Sequence, residues 1–390
     1  MRRSLRFARL WRKLKDRGGY SMWRIPLFKI YWDEEILEEV VSVIKSGMNW
    51  ATGPKVEAFE HAISEYIGKR FAVTFNSGTS ALHAILLAHG IGNGDEVIVP
   101  SFTFIATANA PLFVGAKPVF ADIEEETYCL DSNSVQEKIS NRTKAIIAVH
   151  YGGVPCKTIQ ELREIAEDHK ILLIEDAAEA FGARISDKKI GSFGDGAIFS
   201  FCQNKVITTG EGGAVVTDDK HIYWRLKLIR SHGRVEAEDY FHSLSPGEYV
   251  TLGYNWRMSN ILAALGLAQL TKIEKIIEMR RRVATSYISK LSRIKEVNTP
   301  VELPGHLSVY QLFTIRVPSE RRDSLMAFLA EKGIMTKIYF HPVHLTRFYR
   351  EKFGYRGGEL PVTEKVSREV VSLPIYPTMT EDEIEYVVRS

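Results

Sequence analysis

The chain has 390 residues, 45% of them hydrophobic, which is enough to bury a sizeable core and favours two domains. The formal net charge of +3 at pH 7 gives no electrostatic reason to expect nucleic acid as a partner, and no apolar run is long enough for stable membrane insertion. Three widely spaced cysteines without a CxxC pair indicate neither a disulfide framework nor a zinc site, so we expect a cytoplasmic protein.

Residues 1–21 form a strongly basic segment. Eight arginines and lysines stand against one acidic residue, Asp16, which makes the local net charge +7. We interpret residues 1–23 as a basic extension without regular structure. Contact with a membrane surface or a nucleic acid is one alternative, and an upstream start codon, with Met22 as the true first residue, is another.

Helices and short apolar runs follow in a regular order. Asp33 can cap a first helix that ends at Gly47, and a second helix is predicted from Pro54 to Gly68. The chain then alternates between helical patterns, such as 158–170, and apolar runs typical of buried strands. This alternation predicts a parallel sheet covered by helices on both faces. The predicted strands are 96–100, 117–121, 144–150, 171–176, 197–201 and 214–217.

The C-terminal third predicts a second, smaller unit. From Ser259 the apolar periodicity favours one long helix towards Ile294, which would bridge the two units. We therefore divide the chain into a large domain, residues 24–265, and a smaller α/β domain, residues 266–390. The smaller domain would contain a strand at 308–317, a helix at 322–333 and a strand at 335–340.

A phosphate cradle is the first candidate site feature. In open α/β sheets, ligands lie beyond the carboxyl ends of the strands, where helices begin. There, Gly78 allows close backbone approach, while Thr79 and Ser80 offer hydroxyls at a helix start, whose N–H groups and dipole favour an anion. The alternative is that Ser77 or Thr79 merely caps the helix. The segment is not a P-loop, because no Gly-Lys-Ser/Thr follows.

Asp176 is the second feature, because it ends the predicted strand 171–176. A carboxylate buried there needs a cationic partner. A protonated pyridine nitrogen fits this requirement, and holding it protonated makes the ring an electron sink. A structural salt bridge or a metal ligand is the alternative interpretation.

Lys205 is the third feature, since it lies between two apolar strands in a segment of small residues. An amine drawn into the interior is suited to form an imine with an aldehyde. The alternative is a solvated lysine in a turn. Cradle, strand-end acid and interior lysine together match the needs of pyridoxal 5′-phosphate (PLP).

The chain resembles the DegT/DnrJ/EryC1/StrS family of sugar aminotransferases along nearly its whole length from Ile25. The resemblance implies an α/β fold of the fold type I PLP-dependent transferases. In that fold, a large domain holds a mostly parallel seven-stranded sheet between helices, and a smaller C-terminal α/β domain follows. The matching segments are 52–60, 76–84, 94–110, 175–183, 191–201, 208–217, 253–270 and 372–377.

The resemblance also implies roles for individual residues. Lys205 would hold PLP as a Schiff base, Asp176 would pair with the pyridine nitrogen, and Phe104 would stack on the ring, although Phe104 is as simply explained as a core residue. Asn255 would reach the phosphate of the neighbouring subunit, so that a homodimer shares its active sites. The phosphate would be held by Gly78, Thr79, Ser80 and Ser200.

Glu179 departs from the family pattern, because many members carry Gln there; perosamine-synthase-like members also carry Glu, which favours a C4-amino product. We predict that Glu179 contacts the cofactor, and that Arg257, His341 and His344 contact the substrate. For His344, a structural histidine is the open alternative. The spacing of the two histidines does not indicate a metal site, because Pro342 between them makes a helix improbable.

The implied activity is transfer of an amino group from an amino acid, glutamate in this family, to a nucleotide-linked keto-sugar by ping-pong kinetics. A PLP-dependent sugar dehydratase or an amino-aromatic synthase on the same scaffold is an alternative, and a noncatalytic binding protein is a remote one. The dehydratase branch that carries His at the lysine position is disfavoured by Lys205.

Overall fold

A seven-stranded sheet lies at the centre of the computed structural model, which describes residues 23–235 and 247–390. The strand order is β1-β9-β8-β5-β4-β2-β3, and only β9 runs antiparallel to its neighbours. The predicted mostly parallel seven-stranded sheet is confirmed. Its strands are β1 (Phe71–Phe75), β2 (Glu96–Pro100), β3 (Lys117–Ala121), β4 (Thr143–Val149), β5 (Leu172–Asp176), β8 (Gly196–Ser200) and β9 (Gly213–Thr217).

Six of these strands coincide with the predicted apolar runs to within one residue at either end. Strand β1 was not predicted, although its sequence FAVTF is rich in aromatic and β-branched residues. Pairing with β9 places Phe71 opposite Thr217 and buries four of the five residues of β1. A run of five residues carries too little periodic signal to distinguish a strand from a helix end.

Helices cover both faces of the sheet. Asp33 accepts a hydrogen bond from the amide of Ile36 at 3.1 Å and starts α1, while Gly68 ends α2 in the left-handed conformation, both as predicted. No helix within residues 23–235 and 247–390 is long and apolar enough to cross a bilayer. The helices are α1 (Glu34–Lys45), α2 (Pro54–Ile67), α3 (Gly78–Ala88), α4 (Ile105–Phe113), α5 (Ser132–Lys138), α6 (Ile159–Asp168), α7 (Lys220–Arg230), α8 (Asn260–Leu270), α9 (Ile273–Leu291), α10 (Ser319–Glu331), α11 (Arg347–Phe353), α12 (Pro361–Glu369) and α13 (Glu381–Arg389).

The prediction of one long helix from Ser259 is wrong, because the structure has two helices there, α8 and α9. The chain leaves the helical conformation at Lys272, where φ is −107° and ψ is 5°. Neither Gly nor Pro marks this break, and the apolar periodicity continues across it, so the sequence carried no stop signal. Helix α8 packs against α1 and α2, whereas the later turns of α9 pack into the C-terminal core.

Helix α9 joins two hydrophobic cores. Its first residues, Ile273 and Ile277, pack into the core beneath the large sheet, whereas Val283 and Tyr287 pack into a C-terminal core. That second core also contains Ile25, from the start of the described chain. Because α9 contributes to both cores, this packing does not fix a domain boundary, and the boundary between residues 265 and 266 remains a prediction.

The strands of the C-terminal part are shorter than predicted. Strand β11 (Phe313–Arg316) occupies only part of segment 308–317 and pairs with β12 (Val370–Leu373), which was not predicted as a strand. Segment 335–340 forms no strand and contributes one bridge, from Lys337 to Ser372. A further small sheet contains β10 (His306–Leu307), β6 (Arg184–Ile185) and β7 (Lys188–Lys189). The basic extension of residues 1–23 lies outside the described residues except for Trp23.

Candidate active site

Asp176 lies at the carboxyl end of β5 and is almost completely buried. Its Oδ2 accepts a hydrogen bond from the Thr107 hydroxyl at 2.7 Å, and its Oδ1 accepts one from the Ala178 amide at 3.2 Å. Burial raises the pKa of Asp176, and the hydrogen bond from Thr107 opposes this shift without cancelling it. A cation placed beside this carboxylate would therefore be held strongly.

Lys205 extends its amine towards the same edge of the sheet. Its side chain is only 13% exposed, and Nζ donates to Glu179 Oε1 at 3.4 Å. The other Glu179 oxygen accepts the Gly152 amide at 2.9 Å, so the carboxylate is fixed from both sides. The structure thus brings Lys205 and Glu179 into contact in a part-buried position.

The start of α3 forms a third wall of the candidate site, beside those formed by Asp176 and Lys205. Ser77 caps the helix by accepting the Ser80 amide at 3.1 Å, which corresponds to one of the two capping alternatives. A Cβ at Gly78 would lie 3.0 Å from the Cβ of Ser200, and a Cβ at Gly213 would lie 2.5 Å from the backbone of Ser77. Only glycine allows these segments to approach so closely, and the approach sets Ser200 against the helix N-terminus. The N–H groups, hydroxyls and dipole at this point are suited to an anion.

Phe104 and Asn255 are both exposed. Phe104 stands before α4, is 58% exposed and has its ring centroid 6.0 Å from that of Phe340, so it is not a core residue, unlike the fully buried Phe102. An exposed aromatic ring at a strand-end site is available for stacking on a ligand. The segment of Asn255 runs beside the cradle, because the Asn76 amide donates to the Trp256 carbonyl at 2.7 Å.

The three predicted substrate contacts, Arg257, His341 and His344, have different surroundings. Arg257 donates to the Ser231 hydroxyl at 3.1 Å, and His341 is exposed. His344 is completely buried, with Nδ1 2.6 Å from Ser101 Oγ and Nε2 3.3 Å from Glu364. Since both of its ring nitrogens have partners inside the chain, the geometry favours the structural alternative for His344.

The carboxylate Glu359 approaches the pair of His344 and Glu364, and one ligand atom from each lies within 4.8 Å of the others. The cluster is already hydrogen-bonded, however. Glu359 accepts the amides of Arg356 and Gly357, at 2.8 and 2.7 Å, and Glu364 accepts the Gly358 amide at 2.6 Å. These bonds give the cluster a role in closing the loop before α12.

Replacement of His344 by alanine is expected to lower the free energy of unfolding by about 2 kcal/mol or more, because Ser101 and Glu364 lose a buried partner. Burial lowers the pKa of His344, so its stabilising contribution is present above the ordinary histidine value and is lost as pH falls. Chemical denaturation at several pH values measures both effects. His341→Ala is the control: it should leave stability unchanged because His341 is exposed, and an increase in KM for the substrate alone would support its predicted substrate contact.

Glu175 has a structural position that sequence reasoning did not assign. It is completely buried and accepts hydrogen bonds from the amides of Gly191, Phe193 and Gly194 and from His150. Burial opposes ionisation, but these bonds outweigh it and lower the pKa of Glu175. Neighbouring residues of a strand point to opposite faces, which is why Glu175 and Asp176 serve different parts of the molecule.

Comparison with known proteins identifies the family and the fold of the chain. The model of the DegT/DnrJ/EryC1/StrS aminotransferase family matches residues 31–390. The chain belongs to this family. The predicted family, fold type I architecture and aminotransferase activity are thereby confirmed.

The relatives include enzymes of sugar metabolism. GDP-perosamine synthase from Escherichia coli O157:H7 is 36% identical over 94% of this chain and 97% of its own length. Among solved structures, DesV from S. venezuelae is 35% identical with a TM-score of 0.86, and PseC from Helicobacter pylori is 28% identical with a TM-score of 0.87. Both structures cover 94% of this chain and 97% of their own.

The family is PLP-dependent, which confirms the predicted cofactor. The residues present fit this group. A helix N-terminus with close glycines suits its phosphate, a buried carboxylate needs a cation such as the pyridine nitrogen, and a part-buried amine stands at the same edge.

Proposed function

We propose that this chain transfers an amino group from glutamate to a nucleotide-linked keto-sugar. Two relatives named GDP-perosamine synthase, from Escherichia coli O157:H7 and Vibrio cholerae, are each 36% identical over more than nine-tenths of this chain. Spore coat polysaccharide biosynthesis protein SpsC from Bacillus subtilis is 33% identical over 97% of it. Glu179 stands in place of the commoner Gln, as in perosamine-synthase-like members of the family, and on this resemblance we propose a product aminated at C4 of the sugar.

The observation that carries this proposal is the contact between Lys205 and Glu179 at the edge of the sheet where Asp176 ends β5. An amine held next to a carboxylate, and within the electrostatic influence of a second one, is placed to exchange protons. Bound PLP supplies an electron sink that stabilises negative charge on the reacting carbon of the substrate.

Each wall of the site has a separate task in this proposal. The start of α3 and Ser200 would bind the phosphate. Asp176 would keep the pyridine nitrogen protonated, and Thr107 orients Asp176. Phe104 would offer its exposed ring for stacking on the cofactor.

Lys205 holds the cofactor between turnovers and then moves protons. With the amino donor bound, the free amine of Lys205 would accept the proton from the α-carbon of the donor and would later give a proton back. Glu179 keeps the freed amine within reach. The oxo acid leaves before the keto-sugar enters, and the same steps run in reverse, so ping-pong kinetics follow.

Two further roles complete the proposal. Arg257 and His341 contact the sugar nucleotide, for which a guanidinium and an exposed imidazole offer donors to phosphate or hydroxyl oxygens. Asn255 is exposed, and we place it at the phosphate of a second copy of the chain. The active unit is then a homodimer with shared active sites.

A half-reaction tests the proposal. The PLP-loaded protein is incubated with glutamate alone, and one equivalent of 2-oxoglutarate per site is expected, with loss of the visible absorption of the bound cofactor. A panel of nucleotide-linked keto-sugars is then added, and mass spectrometry should find an amino sugar made from one of them. Oxo acid release without any aminated sugar would contradict the acceptor class, and a deoxygenated product would identify a dehydratase instead.

A further inference from the structure

Gln311 lies next to the Lys205 turn, although it belongs to the C-terminal part of the chain. Its side chain is buried, and its Nε2 donates a hydrogen bond to the backbone carbonyl of Asn204. The following residue is Lys205, whose own amide donates to the Cys202 carbonyl at 2.9 Å. The side-chain amide of Gln311 is therefore bonded to the backbone immediately before Lys205.

The other end of the same side chain is not hydrogen-bonded within the described residues. Gln311 Oε1 is buried and has no hydrogen-bond partner among the described residues. A buried oxygen without a partner destabilises the folded chain, and an apolar side chain of the same length would avoid this cost. The bond to the Asn204 carbonyl is therefore the contact that a glutamine makes here and an apolar side chain cannot make.

Residues 309–312 also hold the carboxylate side of the Lys205 contact. The amide of Leu312 donates to the Gly152 carbonyl at 3.0 Å, and the amide of Val309 donates to the Gly153 carbonyl at 3.1 Å. The amide of Gly152 in turn binds Glu179, the partner of the lysine. The backbone before Lys205 and the Glu179 carboxylate are thus both held by residues 309–312, the first directly and the second through Gly152.

Arg280 holds that segment from helix α9. Its guanidinium is buried and donates to the Tyr310 carbonyl at 3.1 and 2.8 Å and to the Gln311 carbonyl at 2.9 Å. Within residues 23–235 and 247–390, it forms no ion pair with a carboxylate, and burial lowers the pKa of Arg280 to about 10. Tyr310 has a φ of 45°, a left-handed conformation that is unfavourable for a bulky residue and needs such support.

We propose that Gln311 is a positioning residue for Lys205: its side-chain amide sets the backbone at Asn204, and Arg280 keeps the segment of Gln311 in place. The inference rests on the proposed function, because positioning matters only if the amine takes part in the reaction. The segment that carries Gln311 leads into β11 of the C-terminal sheet, so this contact makes the geometry of the amine depend on how the C-terminal part docks.

The test compares Gln311→Met and Gln311→Glu with the wild type as full-length, PLP-loaded proteins. The methionine variant should lower kcat about tenfold while KM for glutamate changes less than about twofold, because misplacement of the amine affects the chemical step. Hydrogen exchange of the peptide that contains the Lys205 amide should accelerate about tenfold, with or without PLP. The activity lost in Gln311→Glu should be partly recovered as pH falls, since a protonated carboxyl can donate to the Asn204 carbonyl.

Thr363→Val is the matched control, because it also removes a buried oxygen without a partner among the described residues, at a site in α12. It should leave kcat and exchange unchanged. Arg280→Lys should resemble Gln311→Met, whereas Arg282→Lys, which alters a bond to the Met379 carbonyl, should not. If the wild type transaminates and Gln311→Met retains wild-type kcat and exchange, the inference is wrong. A wild type without transaminase activity would instead overturn the proposed function.

Discussion

Replacement of Lys205 by alanine is expected to lower kcat by roughly 10³-fold or more, since the reaction loses both its covalent anchor and its proton carrier. The side chain is largely buried and contacts Glu179, so nearby water has poor access to replace its amine. Borohydride treatment followed by peptide mass spectrometry should find the cofactor on the Lys205 peptide of the wild type and on no peptide of the variant.

Lys188→Ala is a suitable control, because Lys188 is exposed and its amine lies over the ring of Phe193. Its kcat and its borohydride-stable cofactor content should match the wild type. Addition of methylamine should restore part of the activity of the Lys205 variant, because a small amine can enter the space left by the side chain. Wild-type turnover in Lys205→Ala would exclude the proposed mechanism.

The second large effect is expected for Asp176→Asn, which should lower kcat by about 10²-fold or more, because a neutral amide cannot keep the pyridine nitrogen protonated. The amide retains the size of the carboxyl and one oxygen, which can accept from Thr107; the bond from the Ala178 amide is lost, which is too small an effect to unfold the chain. Steady-state kinetics measure the loss. Full activity would show that no protonated nitrogen is needed.

Although Asp176→Asn should lower activity, it should raise the stability of the cofactor-free protein. Burial raises the pKa of Asp176, so the cofactor-free wild type loses stability as pH rises through that value. The asparagine variant lacks this loss and should unfold at a higher temperature at neutral pH. The difference should close as pH falls below about 3.9, where the carboxyl is protonated in both folded and unfolded chains. PLP should then raise the melting temperature of the wild type more than that of the variant.

Much of the large sheet was predictable from local patterns. Strands buried on both faces appear as short, continuous apolar runs, which is why six of the seven were found. Caps also carry their own signal, as Asp33 and Gly68 demonstrate. The break at Lys272 was not predictable, because it depends on the surfaces that α8 and α9 meet and not on the residues between them.

The contents of the site divide in the same way. Asp176 could be named from sequence because an acidic residue at the end of an apolar run is unusual, and Lys205 because a lysine between two apolar strands is unusual. Thr107 and Gln311 could not, since they lie 69 positions from Asp176 and 107 positions from Asn204, respectively, and carry ordinary side chains. His344 was open between two roles until its partners, Ser101 and Glu364, were known.

By itself, the sequence determined the family, the cofactor and the order of the chemically active groups, because each of these is written in short contiguous segments. Tertiary structure decided which side chains hold those groups at working distance. The reason is that a hydrogen bond joins atoms a few ångströms apart, whatever their separation along the chain, and only folding brings Gln311 to the carbonyl that precedes Lys205.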